Sequence, residues 1–467
     1  MHTLLSVALV VGYVSVLTFV ALRARAAREY EEFSLAKRAL PLSLIFGSLC
    51  ATYVGAGFSI GFVGKGYSSG VLFLGVGLAY SLQNVLVGLL VAPRLRALSD
   101  CHTVGDAIGQ KYDHRCHIFA GVISVGVCAF LAAVMAHAGR VVLSGMFGLP
   151  GWLSVLIIVG VTALYTTSGG LRASVITDAF QFAVFAVLLP AVLLVTLIFH
   201  FEGGASGFVE QMWTATGEGI AARTRWEIVG LVAAFLLGET LIPPYANRAL
   251  ASKTTGVSRH SFVLAGVFSV VWFTVMIALG VVARGIVPAE TDGDQVLLRL
   301  VKSIMAPEWQ GVLLVLLVVL VSVVMSSLDS LMNAGAVAFT QDIAKPVANL
   351  SDESALKTGR YATVAIAVIA AVSTPVVPDI IDGLLICYTI WASAILPALI
   401  LGLWVKAPRP LAAMLSMITG TVVSIIAIVL LFIYPDAGTF SVIIVPALAA
   451  ALLAYLVGHV LGREKGI

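Results

Sequence analysis

Charge is what this sequence has least of. Only 11 % of its 467 residues are Asp, Glu, Lys or Arg, 60 % are hydrophobic, and the mean hydropathy is +1.06. A soluble domain carries about 25 % charged and 45–50 % apolar residues, so the roughly three soluble domains that the length would otherwise suggest are excluded. Cysteine is also scarce. The five (Cys50, Cys101, Cys116, Cys128 and Cys387) lie in apolar runs or short loops, with no even extracellular framework, and disulfides are not indicated. The first apolar run lacks a preceding basic region and a following small-residue cleavage site, so it reads as a retained helix, not a signal peptide. No His/Cys/Glu cluster has metal-enzyme spacing, and the absence of a polar catalytic cluster near an interface argues against a membrane enzyme. The formal net charge of +3 says little about partners, and there is no nucleic-acid signal.

What is present is apolar sequence in runs of about 20 residues, each long enough to cross a ~30 Å hydrocarbon core. Thirteen spans are expected, numbered 0 to 12: 4–22, 42–64, 71–93, 117–147, 152–168, 175–199, 227–247, 260–284, 310–342, 361–376, 380–404, 411–433 and 439–461. If the loop after span 0 is cytosolic, the cytosolic segments hold 20 of the 27 basic residues, among them Arg94, Arg248 and Arg409. The opposite side holds six, Arg140 falls inside span 3, and the outer loops 200–226 and 285–309 are relatively acidic. The positive-inside rule then places the chain in the cell membrane with its N-terminus outside and its C-terminus in the cytosol.

Two spans are interrupted. Span 1 contains ATYVGAGFSIGFVGKGY (51–67), and span 6 contains GETLIPPY (238–245) with Pro243 and Pro244 in tandem. Glycine weakens a helix and proline removes a donor, and in lipid the freed polar groups need partners within protein or a bound ion. The breaks lie about 190 residues apart, five spans from one another, so the second unit enters from the opposite side. Paired broken helices in two inverted halves point to a transporter's binding site.

The third unusual helix is span 8, where MSSLDS (325–330) puts hydroxyls and a carboxylate in mid-membrane. Such residues face a partner, a cavity or an ion. Val323, Ser326, Ser327 and Ser330 fall on one helical stripe. The Ser326 and Ser327 hydroxyls, the Val323 carbonyl and the freed carbonyls of Ala51 and Val54 could together ligate a small hard cation such as Na⁺. A membrane serine bonded only to its own i−4 carbonyl is the plainer alternative.

TSGGLRASVITDAFQF (167–182) resembles the signature of the sodium:solute symporter family, which includes sodium/sugar, sodium/proline and sodium/sialic-acid transporters. GFVGKGYSSG (61–70), YANRALASK (245–253) and SSLDSLMNAGAVAFTQDI (326–343) are similar to its spans 1, 6 and 8. The resemblance implies an all-α integral membrane fold with a five-plus-five inverted repeat (LeuT-like). Repeat one is 42–199 and repeat two 227–404, with accessory helix 0 at 4–22 and accessory spans 11–12 at 411–461. The family's main sodium site falls on Ala51, Val54, Val323, Ser326 and Ser327. A second cation site of some members falls on Asp178 and Ser330, but Asp329 stands where those members have serine. Its occupant is then a second Na⁺, a proton, or a cation paired with Asp329.

The polar residues expected near the midplane are Gln83, Asn84, His137, Arg140, Glu239, Thr240, Tyr388 and Trp391, with Phe58 at a span-1 substrate position. Gly57 and Phe58 replace the polar residues of sugar-transporting members, which disfavours a sugar. Arg140 would grip a substrate carboxylate, pair with Glu239, or snorkel. The expected function is a secondary active symporter coupling inward Na⁺ movement to uptake of a small organic solute, a carboxylate or amino-acid-like molecule. The rivals are a proton-coupled carrier of the same fold and a transporter-like membrane sensor.

Overall fold

The computed structural model describes Gly12 and residues 27–201, 203–304 and 310–464, and among these residues every regular element is helical. Span 0 lies outside the described residues but for Gly12. Among the described residues eight helices are long and apolar enough to cross a membrane, and two bent helix pairs bring the number to ten. Gly151–Phe199 runs for 49 residues, about 74 Å at 1.5 Å per residue, which is more than twice a bilayer core. Its only non-helical residue is Gly170 (φ 57°, ψ −157°), which joins expected spans 4 and 5. A side chain at Gly170 would run into the Phe33 backbone, so both the backbone angle and the close approach require glycine there. The expected loop between these spans is thus one residue.

Span 1 is Leu42–Tyr53 followed by Gly57–Ser69, bent by 56° at Val54–Ala56. Span 6 is Arg225–Leu237 and Pro243–Ala251, with Leu241 held at φ 50° in the gap. The proline pair opens the second segment, where the missing N–H groups have no intrahelical duty. A third break was not foreseen: span 10 splits into Ile380–Ala394 and Leu396–Trp404 with a 41° bend, and Pro397 sits in the first turn of the second piece. The loops after spans 5 and 7 carry helices of their own, Gly204–Ala221 and Val296–Ile304.

The helices sort into two groups by packing. Spans 1, 2, 6 and 7 pack on one another, while span 8 packs on span 3 (His114–Phe147), on Gly151–Phe199 and on span 9 (Asp352–Ser373). Span 8 is nearly enclosed, with 94 % of its apolar window buried, against 22 % for Gly151–Phe199. Leu164, Val187, Ile198 and Trp226 project outward from the bundle, as side chains facing lipid do. The second segment of span 6 also packs on span 8, and this seam between the two groups holds the polar interior.

Candidate functional site

The break in span 1 faces the serines of span 8. Tyr53 ends the first helical segment, the Val54 amide still donates to Cys50 O, and the next helical bonds are displaced by the π-helical turn Gly57–Gly61. Carbonyls released this way must find partners inside the protein. Ser326 Oγ lies 3.1 Å from Val323 O and 3.4 Å from Ala51 O, so three of the five expected cation ligands meet at one point. Val54 O accepts from Ser59 Oγ at 2.6 Å. Ser327 Oγ is buried and has no partner among the described residues. It points at Gly55, where an added Cβ would collide with it. An orphaned, buried hydroxyl aimed at unwound backbone fits a ligand to a small cation, because burying it with nothing bound leaves its desolvation uncompensated.

About one turn along span 8 the second expected cluster comes together around a residue assigned to a loop by charge counting. Arg248, in the second segment of span 6, has a fully buried side chain. Its Nη2 donates to Asp178 Oδ2 at 2.7 Å and to Ser330 Oγ at 2.6 Å. Its Nε donates to Ser48 Oγ at 2.7 Å and its Nη1 to Pro244 O at 2.8 Å. The interior cation therefore pairs with Asp178, not Asp329. Asp329 instead accepts from the Tyr165 hydroxyl and from Ser174 Oγ, each at 3.1 Å, and Ser330 Oγ bridges the two carboxylates. Of the two carboxylates only Asp178 touches the guanidinium, and its Oδ1 is left without a partner among the described residues.

Between the two breaks lies a small cavity of about 30 Å³, lined by Thr52, Gly55, Phe58, Glu239, Tyr245 and Ser327 among others. That is room for a water or two and not for a solute. Glu239 is the one ionisable carboxylate in the lining. It sits in the span-6 gap and is held by three phenols: Tyr80 and Tyr245 (2.9 Å) donate to Oε2, and Tyr388 donates to Oε1 at 2.6 Å. Trp391 Nε1 donates to Thr240 O at 2.8 Å. With its amide turned to donate to Phe235 O at 2.9 Å, Gln83 accepts from Thr240 Oγ1 at 3.0 Å. Asn84 Nδ2 has no partner among the described residues, and Phe58 packs on Tyr80 with ring centroids 4.4 Å apart.

Of the expected substrate residues, Phe58 and Glu239 line the cavity, while Gln83, Tyr388 and Trp391 brace the span-6 gap behind it. Arg140 is elsewhere. Its Nη2 is 3.2 Å from His137 Nδ1, its stem lies under Gly151, and His137 Nε2 is 3.5 Å from Asp294 Oδ2. It neither lines the cavity nor pairs with Glu239. Sequence reading missed Arg248, Tyr80, Tyr245 and Ser48. Of these, Tyr245 and Arg248 carried a signal, their place in the YANRALASK motif that follows the span-6 break.

A model of the sodium:solute symporter family matches residues 33–420. Sodium/glucose cotransporter 2 of Rattus norvegicus is 25 % identical over 76 % of this chain and 60 % of its own length. Sodium/myo-inositol cotransporter 2 of Mus musculus is 23 % identical over 83 % of this chain and 64 % of its own. The chain thus spans about three fifths of the length of these relatives. A sodium/glucose cotransporter of Vibrio parahaemolyticus is 24 % identical over 75 % of this chain and 70 % of its own. Among solved structures, a Na⁺-coupled sialic acid symporter in its substrate-bound outward-open state superposes with a TM-score of 0.83 at 16 % identity, covering 97 % of both chains. Mhp1, a nucleobase-cation-symport-1 transporter in a closed conformation, gives 0.62 at 12 % identity, covering 93 % of this chain and 95 % of its own. The all-helical architecture is that of these transporters, and with 388 consecutive residues matched the chain belongs to the sodium:solute symporter family.

Proposed function

We propose that the chain is a Na⁺-coupled symporter that moves a small, amine-bearing, amino-acid-like solute by alternating access, with its C-terminus in the cytosol. The observation that carries the coupling ion is Ser326 Oγ, set between Ala51 O and Val323 O with the orphaned Ser327 hydroxyl beside it. Na⁺ there joins unwound span 1 to span 8 across the seam between the two helix groups. That is the position from which an ion biases one group's orientation against the other. The ion and the solute assist one another only if each binds the same conformation better, and the linkage is reciprocal.

The solute class follows from charge. The cavity offers a carboxylate, Glu239, and aromatic faces, Phe58 and Tyr245, and no guanidinium. Three neutral phenols satisfy the lone pairs of Glu239 without cancelling its charge. An ammonium group cancels it and gains cation–π attraction from the rings. Of the two solute classes that sequence suggests, the amino-acid-like one keeps this match, whereas a bare carboxylate would meet like charge.

Uptake into proteoliposomes with Na⁺ inside or outside, or replaced by K⁺, tests the coupling. Ser326→Ala with Ser327→Ala should raise the Na⁺ concentration for half-maximal uptake at least tenfold, equivalent to about 1.4 kcal/mol of lost ligation. An unchanged sodium dependence sinks the site assignment. One observation favours a second reading, in which a proton accompanies or replaces Na⁺: Ser330 Oγ links the two buried carboxyls Asp178 and Asp329, and the arginine beside them bonds only Asp178, so Asp329 has no counter-charge in contact and can hold a proton. Uptake with Na⁺ replaced by K⁺ at two pH values separates the readings, since only the proton-coupled carrier then responds to an imposed pH gradient.

A further inference from the structure

Away from the seam, three chain segments bring a second set of buried ionisable groups together. The helix Val104–Lys111 follows span 2 and is capped by Thr103, whose Oγ1 accepts from the Asp106 amide at 2.9 Å. Span 3 begins at His114 and presents His117 in its first turn. Span 8 closes in a π-helical turn, Phe339–Ala344, which contains Asp342. The extra residue of a π turn shifts the helical phase, and such turns occur often at functional sites. Asp106, His117 and Asp342 each offer one ligand atom, and these atoms lie within 4.8 Å of one another.

Two features separate this cluster from an ordinary buried ion pair. The first is charge. Asp342 is fully buried and Asp106 nearly so, yet among the described residues His117 and His102 are their only basic neighbours within 4.0 Å, with no lysine or arginine. The comparable carboxylate Asp178 has Arg248 against it. The second is an open valence. Asp342 Oδ1 takes the Thr103 hydroxyl and His117, while Oδ2 of the same buried side chain has no partner among the described residues.

The geometry points to a divalent transition-metal site made by Asp106, His117 and Asp342. Zn²⁺ or Mn²⁺ bonds to imidazole nitrogen and carboxylate oxygen are about 2.0–2.2 Å long, so neighbouring ligand atoms around one ion are about 2.9–3.5 Å apart. His117 Nε2 is 2.9 Å from Asp342 Oδ1 and 3.2 Å from Asp106 Oδ1. Two carboxylates and a neutral imidazole leave a charge of −2, which one divalent ion cancels. His102 Nδ1, 3.8 Å from Asp106 Oδ2 and itself unpartnered among the described residues, stands at the rim as a further nitrogen donor. The ion would fasten the Val104–Lys111 helix to the ends of spans 3 and 8. That fastening is independent of the solute and of the coupling ion.

The test uses the full chain purified in detergent, stripped with EDTA and titrated with ZnCl₂, MnCl₂ or MgCl₂. The expected result is one tightly held Zn²⁺ or Mn²⁺ per chain by elemental analysis and a metal-dependent rise in melting temperature. Mg²⁺ should do neither, and added Co²⁺ should develop visible ligand-field absorption. Asp342→Asn and His117→Gln should each abolish the rise and the Co²⁺ spectrum, while His260→Gln, on an exposed helix face, should keep both. Should Asp342→Asn not fold, His117→Gln and Asp106→Asn decide. No stoichiometric metal, or equal binding by wild type and these variants, overturns the proposal and leaves an adventitious ion only.

Discussion

The two broken helices solve the same problem with opposite chemistry. Span 1 breaks at glycines and exposes neutral oxygen: backbone carbonyls, with Ser326 and Ser327 across the gap. Span 6 breaks before a proline pair and carries ionisable groups, Glu239 within its gap and Arg248 beyond it. Neutral oxygens at ligand distance suit a bare monovalent cation. A carboxylate among phenols suits an organic partner, and an arginine bonded on every side fixes structure. On the proposed function, the first break recognises the ion, and the second both recognises the solute and bolts the two helix groups.

Substitutions break that contrast in order of size. Arg248→Gln leaves Asp178 buried without its counter-charge. Breaking a buried pair from one side costs about 3–5 kcal/mol, so little folded protein should survive detergent extraction. Pairing it with Asp178→Asn should restore much of the melting temperature, and a single variant as stable as wild type would contradict the bolt. Gly55→Ala, which drives a methyl into Ser327, should reduce Na⁺-dependent uptake more than tenfold. Gly75→Ala on span 2, where a Cβ meets nothing within 4 Å, should leave uptake intact. Tyr388→Phe should be mildest. It removes one of three donors to Glu239, a bond to a charged acceptor worth about 1.5 kcal/mol or more. Half-saturation for solute should rise roughly tenfold with the sodium dependence unmoved, and a parallel shift in both would mean that the two breaks are not chemically separate.

Much of this contrast was legible before any coordinates, because in a membrane a polar residue or a helix breaker needs a reason. The glycines of span 1, the prolines of span 6 and the serine stripe of span 8 each violate the solvent they sit in, and the structure brings all three together. What was not legible is pairing across sequence distance. Arg248 lies near a helix end in a polar motif, and charge counting sent it to the loop, although Asp178 draws it fully inside. Arg140 looked like a substrate group because it is alone in an apolar run, yet His137, one turn away, is its neighbour. The split in span 10 was hidden because Pro397 is acceptable in the first turn of a new helix and announces no break. The Asp106, His117 and Asp342 cluster has no spacing to read, since its members come from three separate segments.

The Arg248 bolt also has a kinetic meaning. One guanidinium ties span 1 through Ser48, span 5 through Asp178, span 6 through Pro244 O and span 8 through Ser330. Spans 1 and 6 belong to one helix group and span 8 to the other. If the chain cycles as proposed, the groups cannot separate at this level without parting Arg248 from Asp178 and Ser330, so the activation free energy of the empty carrier's return stroke contains both contacts. The residue that secures the fold would then also act as the cycle's escapement, and turnover, more than affinity, would register any change to its grip.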